Sequence, residues 1–173
     1  MQIHRYEKLW FAVSLLLIVG FIATITYGAV GAGIQMVDDD GGTVDPNNIA
    51  DHEVRDGVTF GDLQEPQAQH VEGNEYEVAI QAIQFAFIPN PVEVPANSEV
   101  TMYITSPDVI HGYKLAGTNV NTMVIPGEMT EITVEFDEPG EYGVVCNEFC
   151  GAGHEEMEGL LRVVPEDEWE GDA

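Results

Sequence analysis

Val100-Thr101-Met102-Tyr103-Ile104-Thr105 sets three large apolar residues alternately against two threonines and a tyrosine. A period of two is the mark of a β-strand that buries one face. The same alternation runs outward in both directions. Upstream, Tyr76, Val78, Ile80 and Ala82 repeat it, and Val92 and Val94 follow the turn signal Pro89-Asn90-Pro91. Downstream come Ile132, Val134 and Phe136, then Tyr142, Val144 and Cys146, and a last run from Gly159 to Val164. Short strands broken by turns at this spacing predict an all-β domain over residues 74–164, an antiparallel sandwich. Loops gather at the two ends of a sandwich, so a loop leaving one strand can meet a loop joining two others.

One such loop is Cys146-Asn147-Glu148-Phe149-Cys150-Gly151-Ala152-Gly153-His154-Glu155-Glu156-Met157. It offers two thiols, an imidazole and a thioether, and Gly151 and Gly153 permit the tight backbone that brings them together. Soft sulfur with borderline nitrogen suits copper better than magnesium, calcium or manganese, which prefer oxygen. A second imidazole would complete the set. His111, at the end of Ser106-Pro107-Asp108-Val109-Ile110-His111, is the best placed, because it follows the strand 100–105. One cysteine, two histidines and a weak methionine suffice for a mononuclear blue-copper site. The second cysteine allows two thiolates to bridge two metals instead.

The same residues allow other readings. The cysteines could form a disulfide, or both cysteines and both histidines could hold zinc. Met157 could fill a gap in the core, and His111 could be a buried core histidine. Asp108 either orients His111 or makes a turn. His52 and His70 sit in polar surroundings and are expected to be solvated.

The chain of 173 residues has room for one domain with a modest core, plus extras. It carries 31 acidic and 5 basic residues, a formal net charge of −26. Such a chain repels phosphates, which excludes nucleic acid as a partner class. The acids are spread along the sequence, with 14 of them in 76–164 alone. A docking face for a cationic partner would gather them into one patch. A halophile's surface would spread them, because at molar salt the Debye length is only about 3 Å. The even spread and the scarcity of lysine favour the halophile.

Residues 9–37 contain no aspartate, glutamate, lysine or arginine. The apolar heart of this run, Leu9 to Val30, has 22 residues, against the roughly 20 that cross a bilayer as a helix. Trp10 and Tyr27 lie near its ends, as interfacial aromatics do. Arg5 and Lys8 precede it, so residues 1–8 are expected in the cytoplasm and the chain beyond 37 outside. A cleaved signal peptide is the alternative, but its apolar stretch is usually shorter, about 7–15 residues. Residues 38–73 are rich in Asp, Gly, Pro and Asn and are expected to form an acidic linker that wraps the domain. Residues 165–173 are an acidic tail, frayed unless Trp169 lays it against the domain.

The string C-x-E-x-C-G-x-x-H-x-x-M, with S-P-D-V-I-H upstream, resembles the dinuclear copper (CuA) domain of cytochrome c oxidase subunit II. The resemblance covers roughly residues 75–164 and the single apolar segment before them, and is nearest to the B-type haem–copper oxidases. It implies a cupredoxin-like Greek-key β-sandwich or barrel behind one membrane helix. It also implies that Cys146 and Cys150 bridge two coppers, with His111 and Met157 completing one and His154 and the Glu148 carbonyl the other. The expected function is a one-electron relay, from a mobile blue copper protein or cytochrome c to haem in the catalytic subunit I. In many relatives a glutamate at the position of Glu148 also helps hold magnesium at the subunit interface, which makes that ion a further expectation here.

Three related or rival functions carry parts of the pattern. A nitric oxide reductase subunit with the same copper centre would look alike, and a membrane-tethered copper chaperone also uses C-x-x-x-C. Chaperones of that kind need βαβ patterning, which is absent. Quinol oxidase relatives lose the copper ligands, which are all present. One stretch departs from the cytochrome c-using relatives. They carry a tryptophan-rich run where this chain has Gln81-Ala82-Ile83-Gln84-Phe85-Ala86-Phe87.

Overall fold

His4 starts the first helix ahead of the apolar run. Its side chain accepts the Tyr6 amide at 3.4 Å, and Glu7 reaches back to the His4 amide at 2.8 Å, a reciprocal capping box. The helix α1 therefore spans Arg5–Thr26 and takes in Lys8, where a polar N-terminal segment was expected. Its 22 residues rise about 33 Å, enough to cross a hydrocarbon core of roughly 30 Å. No side chain of α1 is buried, and from Leu9 to its end it carries no charged residue. Thr24 and Thr26 donate their hydroxyls to the Gly20 and Ile22 carbonyls, both at 2.9 Å, so neither leaves an unpaired donor on an apolar surface.

The computed structural model describes residues 4–27, 41–55, 58–60 and 68–169. Parts of the expected anchor (28–37), linker (38–40, 56–57, 61–67) and tail (170–173) lie outside the described residues. The chain divides into two units, Met1–Met36 and Val37–Ala173.

The second unit is a β-sandwich. In chain order its strands are β1 Glu53–Arg55, β2 Val58–Thr59, β3 Gln69–Glu72, β4 Glu75–Ile83, β5 Ala86–Ile88 and β6 Val92–Pro95. There follow β7 Ser98–Thr105, β8 His111–Leu115, β9 Asn121–Val124, β10 Thr130–Phe136, β11 Gly140–Val145 and β12 Glu158–Val164. One sheet runs β10-β7-β4-β3 with β5 on β4; the other runs β6-β12-β11-β8-β9. The alternation at 100–105 and 76–82 does what it predicts. Val100, Met102 and Ile104 meet Val78, Ile80 and Ala82 in the core between the sheets, with Leu115, Val144 and Leu161 from the opposite sheet.

Two features depart from an antiparallel sandwich with one wet face. First, β4 pairs with β7, and β6 with β12, in parallel. After β4 and β5 the chain crosses to the other sheet as β6 and returns as β7 beside β4, so both strands run the same way. Periodicity shows which face a residue takes, and says nothing about a neighbour's direction. Second, the outer face of β4 and β7 is partly dry. Ala79 and Tyr103 pack there against Val44, Ile49, Val58 and Phe60 of the segment before the domain. Phe60 is fully buried, and burying such a side chain contributes about 1.5–3 kcal/mol. The described parts of the segment expected as a linker are therefore held against the sheet, and β3 is a strand of it. Trp169 packs edge-on against Tyr76 at 5.8 Å and brings the start of the tail onto the domain.

Candidate metal centre

The loop between β7 and β8 is closed by its own side chains. Ser106 donates its hydroxyl to the Val109 carbonyl at 2.7 Å, and Val109 donates its amide to Asp108 Oδ1 at 2.6 Å. Asp108 thus makes the turn. The same Oδ1 lies 2.9 Å from His111 Nε2, so Asp108 also orients the imidazole. Part-burial alone would raise the Asp108 carboxyl, but hydrogen bonds from His111, the Gln84 and Val109 amides and Ser106 outweigh it and hold the group below its usual range. His111 is completely buried, and its free nitrogen, Nδ1, faces Cys146 Sγ at 3.9 Å.

The cysteine loop joins β11 to β12. Its base is closed where the Cys146 amide donates to the Met157 carbonyl at 3.2 Å. A 3-10 turn, His154–Glu156, folds the far side back, with the His154 amide on the Gly151 carbonyl at 3.2 Å. This brings the predicted residues together. Cys146 Sγ lies 3.8 Å from Cys150 Sγ and 3.2 Å from the Glu148 carbonyl oxygen. Cys150 Sγ lies 3.6 Å from His154 Nδ1 and 3.7 Å from Met157 Sδ. Both cysteines are free thiols, well beyond the roughly 2.05 Å of a disulfide.

Exposure separates backbone from side chain at one of these positions. Cys146, Cys150 and Met157 are buried and His154 is half-buried, whereas the Glu148 side chain is exposed. Only the carbonyl of Glu148 turns inward. Phe149 stands out in solvent at 76% exposure, with its ring 5.8 Å from that of His154.

Sulfur, imidazole nitrogen and a carbonyl oxygen thus converge with the sulfur atoms and His111 buried and His154 at the rim, a donor set that fits copper. Burial pushes the Cys150 thiol up to about 11, with Cys146 beside it adding to the shift. The proton therefore stays on at neutral pH until a cation displaces it. His111 Nδ1, Cys146 Sγ and Cys150 Sγ lie within 4.8 Å of one another, and His154 falls outside that group. The donors form a row, His111, Cys146, Cys150, His154. The four ligands of a single tetrahedral ion, about 2.0–2.3 Å from it, would all be closer together than that.

His52 and His70 stand apart from this row. His52 sits by the Phe60 ring, and His70 bonds the Gly73 carbonyl at 3.0 Å. Two contacts to the centre were not legible in the sequence. Gln84, in the β4–β5 turn, donates its amide N–H to Asp108 Oδ2 at 2.8 Å and its side-chain amide to the Cys150 carbonyl. The Phe85 ring lies against Gly151 and Gly153. The paired glycines hint that something bulky packs on the loop, but nothing in the sequence says what.

Residues 59–164 match the family described as Cytochrome C oxidase subunit II, periplasmic domain. Over 170 residues the chain is 38% identical to the cytochrome c oxidase subunit 2 of Thermus thermophilus, with 93% of each protein covered. It superposes with a TM-score of 0.68 and 32% identity on a chain from a haem–copper terminal oxidase dimer solved by cryo-electron microscopy. That match covers 92% of this chain and 100% of the other. The periplasmic domain of subunit II of the Bradyrhizobium japonicum cytochrome oxidase shares the fold, at TM-score 0.52 and 22% identity over 57% of this chain and 91% of that one. By its family match and its identity across nearly its whole length, the chain belongs to the cytochrome c oxidase subunit II family, with a cupredoxin-like domain behind one apolar helix.

Proposed function

We propose that the domain holds two coppers and serves its oxidase as a one-electron relay without a substrate site of its own. The observation that carries this reading is the row of donors, in which His154 lies outside the compact group of His111, Cys146 and Cys150. Cys146 and Cys150 would bridge the two ions. His111 and Met157 would complete one, and His154 and the Glu148 carbonyl the other. When bound, such a pair supplies a site that gains or loses one electron with little movement of its ligands.

The chain's own residues supply the rigidity. Asp108 holds the His111 ring so that Nδ1 points at the thiols, and the two sheets fix the loops that carry the donors. Burial of Cys146, Cys150 and Met157 keeps water from the sulfur atoms. As a subunit II the chain works in complex with a subunit I, where haem and dioxygen chemistry would reside. The electron donor would be a mobile blue copper protein or cytochrome c outside the membrane. The N-terminus would face the cytoplasm, since Arg5 and Lys8 lie in the first turn of α1, ahead of its apolar run. The exposed carboxylate of Glu148 would be free for a hard cation, magnesium, at the subunit interface.

Copper analysis with electron paramagnetic resonance on the full-length chain tests the reading. Two coppers per chain and a hyperfine pattern from one electron spread over both are expected. A single copper with the four-line pattern of a localised site would overturn the dinuclear centre, and a zinc-only protein would overturn copper.

A further inference from the structure

The stretch Gln81–Phe87 lacks the tryptophans of its cytochrome c-using relatives, yet the turn at its centre touches both loops of the metal centre. It does so without supplying any of the proposed ligands. The backbone N–H of Gln84 binds one oxygen of Asp108, while His111 binds the other. The side-chain amide of Gln84 binds the carbonyl of Cys150. The neighbouring Phe85 ring fills the space over Gly151 and Gly153, where an added Cβ would come within 3.0 Å and 2.7 Å of it.

These contacts cross between layers. Gln84 sits between β4 and β5 of one sheet, whereas the cysteine loop joins β11 and β12 of the other. No strand pairing links β4 or β5 to β8, β11 or β12. His111 opens β8, which pairs with β11 just ahead of Cys146, so strand pairing sets these two; the path of the loop from Cys146 to Cys150 lies beyond that pairing and depends on side chains and turns.

We infer that Gln84 is a positioning residue of the metal centre, a strut that ties the Cys150 end of the cysteine loop to Asp108 behind His111. The inference rests on the copper reading above. Its physical content lies in the Cys150 carbonyl. Holding that oxygen fixes the peptide between Cys150 and Gly151, and with it the direction in which the Cys150 side chain leaves the backbone. Without the donor the carbonyl turns to water and the sulfur atom loses a constraint. One hydrogen bond of ordinary net worth corresponds to about a fivefold change in equilibrium.

The test uses the full-length chain in detergent, as wild type, Gln84→Ala and Gln84→Glu. Four quantities are compared: the paramagnetic resonance spectrum, the rate of copper loss to a Cu(I) chelator, amide exchange over residues 150–153 of the metal-free chain, and its thermal midpoint. Both variants are expected to keep two coppers, shift the spectrum and lose copper about fivefold faster. Exchange over 150–153 should quicken, and the thermal midpoint should fall by no more than a few degrees, as for the loss of about one hydrogen bond. Gln84→Glu should be the more affected, because a carboxylate of the same shape meets the carbonyl with an acceptor in place of a donor. A role in packing alone predicts the reverse order, with Gln84→Ala worse, and that order would overturn the inference. So would wild-type spectra and copper-loss rates in both variants. A wild-type chain that binds no copper pair would sink the copper reading itself, a failure visible before any variant is made.

Discussion

Asp108 Oδ1 lies 2.9 Å from Nε2 of His111, and this contact decides which imidazole nitrogen faces the thiols. Nε2 is engaged, so Nδ1 is the nitrogen left toward Cys146. Asp108→Asn keeps the shape of the turn and removes the carboxylate charge. The variant should bind copper about 10–100-fold more weakly than wild type, the usual cost of losing a partner behind a metal-binding histidine. Competition with a chelator of known affinity measures it, and an unchanged affinity would reduce Asp108 to a turn-maker.

The two sulfur types should respond differently to replacement. Cys150 Sγ is near Cys146 Sγ, His154 and Met157, whereas Met157 Sδ meets the cluster from one side. Cys150→Ser should abolish the shared-electron spectrum expected of the proposed centre, because one of its two proposed bridges is lost. Met157→Leu should keep both coppers and raise the reduction potential, since a weak donor is exchanged for an apolar side chain of similar volume. If Met157→Leu leaves spectrum and potential unchanged, Met157 is core packing.

The legibility of the chain follows the range of the interactions. The inward face of the sandwich was plain in Val78, Ile80, Val100 and Met102, because a period of two needs only neighbours in sequence. The residues proposed as donors in the cysteine loop are close in sequence, and the loop-end argument placed His111 beside them across 35 residues. Alternation alone sets Ala79 and Tyr103 on the face turned away from Ile80, Met102 and Ile104. They are buried because Val44, Ile49, Val58 and Phe60 return from a segment too polar to announce itself as core. The parallel pairings and the Gln84 contacts depend on where the chain crosses between sheets, which local patterning does not encode.

Gly153 is where a side chain has no room. A Cβ there would lie 2.7–3.0 Å from three atoms of the Phe85 ring. Gly153→Ala should cost about 1–3 kcal/mol, the usual range for overpacking. Thermal unfolding of the metal-free chain measures this. Pairing it with Phe85→Leu should recover part of the loss, since the two changes act on one contact. Strictly additive effects would show that the ring yields freely and the glycine is not required for space.

Salt dependence has a structural basis as well as a compositional one. Glu72 stands opposite Glu75, Glu75 opposite Glu99, and Glu99 opposite Glu135, a row of four exposed glutamates across β3, β4, β7 and β10. Adjacent strands are about 4.7–4.9 Å apart, and like charges directly opposite one another destabilise a sheet. Cations to offset the row are scarce. Arg162 is engaged at 2.6 Å by Glu93 and at 3.2 Å by Glu141, and beyond residue 37 the sequence holds only Arg55 and Lys114 besides it. Screening at the spacing of the row needs a Debye length near 3 Å, reached at about 1 M salt; at 0.01 M the repulsion extends about 30 Å. The full-length chain should therefore lose thermal stability progressively as salt falls from molar to tens of millimolar. Glu99→Lys, which turns the middle of the row into two attractive pairs, should flatten that dependence and leave the midpoint at molar salt nearly unchanged. Melting curves of both chains across that salt range decide the matter. Equal midpoints for wild type at both extremes would contradict adaptation to high salt and return the acids to the alternative role, a docking face for a cationic electron donor.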